Sequence, residues 1–137
     1  MQTDSSNHNA LVTGATGFVG CNLVEALLHE GCRVTCLVRK TSDTRPVRQA
    51  GVRLVVGDMN DPASVRQAAE GVHVVYHLAG LIKAAKRDHY LRVNQGGTRL
   101  LLKTLAEAAP DLNRFVHVSS LAAAGPSTGE TGLKEED

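Results

Sequence analysis

Gly14, Gly17 and Gly20 fall at three-residue intervals directly after a short apolar run, Ala10–Thr13, and an amphipathic segment begins at once. The chemistry such a junction can do is anion binding. Glycines let the backbone turn sharply and approach an anion, and the first N–H groups of the helix that follows have no partner within it, so they can be aimed at a pyrophosphate. After a second apolar run come Arg39 and Lys40, with no acid until Asp43. They supply a planar guanidinium and a flexible ammonium, both suited to a phosphate. Ser119 and Ser120 offer hydroxyls at the end of another apolar run, where they can orient a substrate oxygen or simply terminate a strand. His73 and His77 are four residues apart in a run that reads as a strand, a span of roughly 13 Å. That is too far for two ligands of one ion at about 2.1 Å each, and no metal site is expected. His77 is read as a packed residue, His117 as a hydrogen-bonded core residue, and Lys83, Lys86 and Arg87 as a solvated loop.

These groups must be positioned by ordinary elements. The 137 residues are 42% hydrophobic, enough for one globular core. Fifteen basic and 14 acidic residues leave a formal charge of +1. That argues against nucleic-acid or membrane-surface binding driven by charge. The three cysteines, Cys21, Cys32 and Cys36, show no C-x-x-C spacing, and buried free thiols in a reducing cytoplasm are expected. Residues 1–9 are polar and read as a disordered lead-in. No run approaches the roughly 18 apolar residues of a membrane span.

Strands are predicted at Ala10–Thr13, Arg33–Val38, Val52–Val56, Val72–Leu78 and Arg114–Val118, with little polar alternation, as in a parallel sheet covered on both faces. Between the first two, Val19, Leu23, Ala26 and Leu27 are read as the apolar stripe of a helix ending at Gly31. Asp61 and Pro62 start a short helix over Ala63–Glu70. A longer one is predicted from about Asp88 to Ala109, with Val93, Gly97, Leu101 and Leu105 on one face. The alternation calls for an α/β fold with a doubly wound parallel sheet of about five strands over residues 10–125, followed by a polar tail over 126–137.

Thr13-Gly14-Ala15-Thr16-Gly17-Phe18-Val19-Gly20 resembles the cofactor loop of the extended short-chain dehydrogenase/reductase family, whose fold is Rossmann-type. Four further segments resemble that family in order: Gly57-Asp58-Met59, His77-Leu78-Ala79-Gly80, Val93-Asn94-Gln95-Gly96-Gly97-Thr98 and Phe115-Val116-His117-Val118-Ser119-Ser120. The resemblance covers residues 10–137 and implies a dinucleotide cofactor. It implies contacts from Gly14, Thr16, Gly17, Phe18, Val19 and Gly20 to that cofactor, and from the Asp58 carboxylate to adenine. Met59, Leu78, Ala79, Gly80 and Val118 are implied to lie beside the cofactor. Asn94, a poor helix residue, is implied to support the active-site backbone and a water. An acid after the second strand suits a ribose 2′-hydroxyl and an Arg a 2′-phosphate. Arg39 and Lys40 therefore favour NADP(H) over NAD(H).

Ser120 matches the family's residue that hydrogen-bonds the substrate's carbonyl or hydroxyl oxygen. The family's acid/base is a Tyr in Tyr-x-x-x-Lys, where the Lys cation lowers the Tyr pKa. Here Tyr76 is followed four residues on by Gly80, and Tyr90 by Asn94. The expectation is a chain that stops before its catalytic helix and substrate region. Its last strand would then be left as an edge prone to self-association. The implied parent is an oxidoreductase, epimerase or dehydratase acting on a sugar nucleotide or another hydroxyl/carbonyl substrate. A non-catalytic NADP(H)-binding module, or an inactive fragment, is the alternative.

Overall fold

The computed structural model describes residues 8–49, 51–127, 129 and 132–136. The expected lead-in lies outside the described residues up to residue 7. So do residues 128, 130, 131 and 137 of the expected tail.

Val- and Leu-rich runs form five parallel strands: β1 (Asn9–Thr13), β2 (Arg33–Val38), β3 (Val52–Val56), β4 (Val74–His77) and β5 (Arg114–His117). Their order in the sheet is β3-β2-β1-β4-β5, with β1 central. It pairs with β2 from Asn9 opposite Arg33 to Thr13 opposite Leu37, and with β4 from Ala10 opposite Val74 to Thr13 opposite His77. Strand order reverses between β1 and β4, the place where open α/β sheets hold ligands beyond their carboxyl ends. β1 starts one residue earlier than predicted, and β4 and β5 are shorter.

The crossovers are α1 (Phe18–His29), α2 (Pro62–Ala68) and a long run made of α3 (Arg87–Leu91), a π-wound turn (Arg92–Gly96) and α4 (Gly97–Ala108). Among the described residues, the stretch between β2 and β3 contains one short 3-10 turn, Arg45–Val47, whose Val47 is buried. Both sheet faces are covered, which is why the central strands carry almost no polar alternation. On one face Leu11, Val55 and Val75 pack with Val65 and Ala68 of α2 and Leu101 and Leu105 of α4. On the other, Ala10, Val12, Val34 and Cys36 pack with Val24 and Leu27 of α1. This is the expected doubly wound Rossmann-type sheet.

α2 starts where its sequence says it should. The Asp61 carboxylate accepts from the backbone N–H of Ala63 at 3.2 Å and of Ser64 at 3.1 Å, with Pro62 following. A cap of this kind contributes about 1 kcal/mol. Cys36 is buried, and desolvation pushes its thiol up to about 12, so it stays protonated. Cys32, expected to be buried, is only partly so, because it precedes β2.

Two sequence expectations are corrected. The buried stripe of α1 is Gly20, Val24 and Leu27, whereas Val19 is 58% exposed and Ala26 is exposed. The helix is rolled so that Gly20, the residue without a side chain, faces the turn behind it. His117 is exposed and belongs to an edge strand, with no layer beyond β5 to cover it. Its ring stacks on His77 at 5.3 Å instead of joining the core. Among the described residues no helix is long and apolar enough to cross a membrane.

Candidate functional site

The turn from β1 into α1 works only with glycine at two positions. Gly14 has φ +71°, and a Cβ there would lie 2.7 Å from the Ala79 nitrogen of the neighbouring strand's end. At Gly20 a Cβ would overlap the Gly14 carbonyl oxygen and come 2.7 Å from the Ala15 Cα. The Gly14 carbonyl also accepts from the Gly17 N–H at 3.1 Å, closing the turn. Among the described residues no side chain caps the amino end of α1. Its first N–H groups therefore lack a side-chain partner, and the helix dipole adds partial positive charge there, a combination that suits an anion.

Above this turn, at the carboxyl ends of the strands, lies a cleft of about 680 Å³. Gly14, Thr16, Gly17, Phe18, Val19 and Gly20 form its floor, and Leu78, Ala79 and Gly80 one wall. Arg39, Asp58 and Met59 line the other end. Phe18 is 86% exposed, an unusual state for Phe that fits a residue facing an occupant. Asp58 lines the cleft while its carboxylate also accepts from the Asn60 backbone at 2.8 Å and the Asn60 amide at 2.9 Å.

Arg39 and Lys40 are both exposed, and among the described residues neither forms an ion pair. Arg39 lines the cleft and Lys40 does not. Asp43, the nearest acid, is engaged by Arg45, whose Nε and Nη2 donate to it at 2.9 and 2.6 Å. The Arg45 guanidinium holds that carboxyl at about 2. Lys83, Lys86 and Arg87 are exposed, but only Lys83 and Lys86 precede α3; Arg87, expected in a solvated loop, is the first residue of that helix.

Asn94 lies in the π-wound turn and does not line the cleft. Its side chain accepts from the Leu81 N–H at 2.7 Å and donates to the Leu81 carbonyl at 2.9 Å, pinning the lip that follows Gly80. Leu81 and Ile82 of that lip do line the cleft. Val118 and Ser120 follow β5 at the same end of the sheet but outside the lining. Ser120 Oγ accepts from the Ala122 N–H at 3.2 Å, capping a short 3-10 turn (Leu121–Ala124). An accepting hydroxyl keeps its own proton to donate.

Thr13, Ser42, Leu81, Ile82 and His89 line the cleft without having been singled out by sequence. Ser42 had a readable cue, since it closely follows the Arg39-Lys40 pair. His89 and Ile82 had none, because the long run from β4 to α4 reaches the cleft only through its packing. Among the described residues no group of His, Cys, Asp or Glu is arranged to hold a metal ion.

A ceramide reductase from Caulobacter vibrioides is 42% identical over 127 residues, covering 93% of this chain and 39% of that protein. An epimerase structure from Methanothermobacter thermautotrophicus superposes with TM-score 0.86 at 25% identity, over 98% of this chain and 42% of that one. A short-chain dehydrogenase/reductase superfamily protein from Agrobacterium tumefaciens, solved with bound NAD, superposes with TM-score 0.67 at 37% identity. It is matched over 82% of this chain and 33% of its own length. The chain thus spans well under half the length of these relatives. The family model of NAD-dependent epimerases and dehydratases matches residues 10–137, the whole segment that carries the glycine turn, the cleft and the pinned lip. This chain belongs to the NAD-dependent epimerase/dehydratase family.

Proposed function

We propose that this chain is the NADP(H)-binding portion of an oxidoreductase, epimerase or dehydratase that acts on a hydroxyl- or carbonyl-bearing substrate. The observation that carries the reading is the uncapped amino end of α1, packed against Gly14 through Gly20 at the floor of the cleft. The two positions where any Cβ would intrude leave bare backbone against which a pyrophosphate fits.

A bound nicotinamide dinucleotide supplies hydride transfer at the substrate carbon. The chain's own residues do the rest. The first N–H groups of α1 hold the pyrophosphate, and Asp58 meets the adenine end. Leu78, Ala79 and Gly80 exclude water from one wall, and Asn94 keeps the adjoining lip in place through Leu81. Ser120 donates its remaining proton to the substrate oxygen and orients it. Neither Tyr76 nor Tyr90 has a Lys four residues on. The acid/base is therefore assigned outside these 137 residues, and the chain alone is expected to bind cofactor without turnover. Sugar nucleotides stay within the substrate class, and the similarity to a ceramide reductase adds a reductase alternative. Under the second reading, a binding module without catalysis, cofactor affinity is the whole activity.

NADP(H) is favoured over NAD(H) because Arg39 faces the cleft unpaired while Asp43 is occupied by Arg45. Arg39→Ala is expected to weaken NADPH binding roughly tenfold to hundredfold, the worth of hydrogen bonds to a charged group, and to leave NADH binding unchanged. Fluorescence titration with both nucleotides checks this. Equal losses for the two, or tighter NADH binding by the unaltered protein, would reverse the assignment.

β5 is an edge strand, and Val118 and Leu121 beyond it are 47% and 94% exposed. An edge of this kind pairs readily with another chain. Self-association of the isolated 137-residue chain is expected in sedimentation velocity. A single monomeric boundary at high concentration would contradict it.

A further inference from the structure

Thr13, His77 and Thr98 form a hydrogen-bonded row whose direction is determined at every atom. Thr98 Oγ1 donates to the Asn94 carbonyl at 2.6 Å, which uses its one proton. Its 2.9 Å contact with His77 Nε2 therefore requires that nitrogen to carry the hydrogen. A neutral imidazole has one N–H, so Nδ1 accepts, and Thr13 Oγ1 donates to it at 2.7 Å. With its proton committed, Thr13 Oγ1 accepts from the Ala79 N–H at 3.3 Å. The ring is 0% exposed and Thr13 is 1% exposed, so water cannot replace a lost partner at that end.

The two ends of this row reach the two parts of the cleft that must stay in register. Thr13 immediately precedes Gly14, whose carbonyl closes the glycine turn. Thr98 bonds back to Asn94, whose side chain grips both backbone groups of Leu81 on the lip. The π-wound turn lies between these attachments, and such turns need local support because they depart from the regular ladder.

We propose that His77 is a positioning residue of the dinucleotide cleft, whose Nε2–H tautomer holds the glycine turn and the Asn94–Leu81 lip in one arrangement. The inference rests on the reading of the cleft given under Proposed function. His77 touches neither cofactor nor substrate and acts only through Thr13, Thr98 and Asn94.

The test uses the intact protein with NADPH as probe, and NMR of the imidazole nitrogens and of the Asn94 side-chain amide. His77→Phe keeps a planar apolar ring and removes both ring partners. His77→Gln places an amide near the Nε2 position and keeps the Thr98 branch. The expected results are an Nε2–H tautomer in the unaltered protein, NADPH binding weakened roughly tenfold in His77→Phe with a shifted Asn94 amide, and partial recovery of both in His77→Gln. An Nδ1–H tautomer overturns the proposal. So do equal affinities for the two variants and the unaltered protein with an unmoved Asn94 amide.

Thr98→Val opens the row at its far end and keeps the test independent of whether His77→Phe folds. It is expected to shift the Gly14 backbone amide across the row, and an unmoved Gly14 signal overturns the proposal. If the unaltered protein binds no dinucleotide, the reading of the cleft fails. The tautomer and the Asn94 and Gly14 signals then still decide the row by themselves.

Discussion

Gly20→Ala is expected to destabilise the protein by about 2 kcal/mol and to weaken dinucleotide binding at least about tenfold, although alanine is the better helix former. Two effects of opposite sign meet at this position. Inside a helix, alanine is favoured over glycine by about 1 kcal/mol, and Gly20 lies in the first turn of α1. Against that, the added Cβ would overlap the Gly14 carbonyl oxygen and press on the Ala15 backbone. These atoms are backbone, so no rotamer change relieves the contact. Overpacking of this kind costs about 1–3 kcal/mol. Relief requires moving the Gly14 carbonyl away from the Gly17 N–H, which opens the turn. The steric term wins because the helix gain does not depend on the turn and the clash is with the turn itself. Urea unfolding with NADPH titration of the same variant checks both halves. A variant as stable as the unaltered protein, with unchanged affinity, would show that α1 can roll without cost.

Acidification from about pH 6.5 to about pH 4 is expected to remove up to about 3 kcal/mol of stability, and His77 is the cause. Burial, with the nearby His117 as a smaller contribution, lowers its pKa from 6.5 to about 4. Between those values the unfolded chain binds a proton that the folded chain refuses. Stability therefore falls as the pH falls through that window, is fully present above it and is exhausted below it. The hydrogen-bonded row gives the same answer from geometry. Nδ1 accepts from Thr13, so a proton there would force the Thr13 hydroxyl to give up that donation and turn its own proton elsewhere in a buried site. Two carboxylates act in a lower window. Asp43 and Asp61 are held below the usual carboxylate value, Asp43 at about 2. What they contribute is present above the unfolded value of 3.8 and is lost as the pH falls through their lowered values. Unfolding midpoints in urea for the unaltered protein and His77→Gln, at about pH 7 and about pH 4.5, separate the two windows. The slope should flatten in the variant. A pH-independent midpoint for the unaltered protein in this range would mean that the ring accepts its proton at no cost.

How much of this was legible in the sequence can be followed residue by residue. The strand–turn–helix junction was legible because Gly14, Gly17 and Gly20 act on their own neighbourhood, within a few residues of chain. Asp61 and Pro62 were legible for the same reason, since a cap satisfies donors two and three residues away. The parallel sheet was legible in Ala10–Thr13 and Arg33–Val38, because strands covered on both faces lose their polar alternation.

Tertiary structure decided the rest. Periodicity placed Val19 on the buried stripe, but two neighbouring stripes of α1 are both apolar. The close approach of Gly20 to Gly14 selected one of them and turned Val19 toward the cleft. His117 reads as core by its neighbours, yet burial depends on a layer beyond β5, which strand order and not strand composition determines. Asn94 could be matched to a motif, but its grip on Leu81 spans thirteen residues and needs the π-wound turn to aim it. Arg39 and Lys40 were legible as a cation pair after β2, but only the fold put Arg39 in the cleft lining, left Lys40 out of it and paired Asp43 with Arg45. The sequence by itself determined the elements and the glycine turn from β1 into α1, because those follow from local backbone chemistry and side-chain periodicity. Only the folded chain decided which groups share the cleft and which proton His77 carries, because those depend on atoms brought together from Thr13, His77 and Thr98, far apart along the chain.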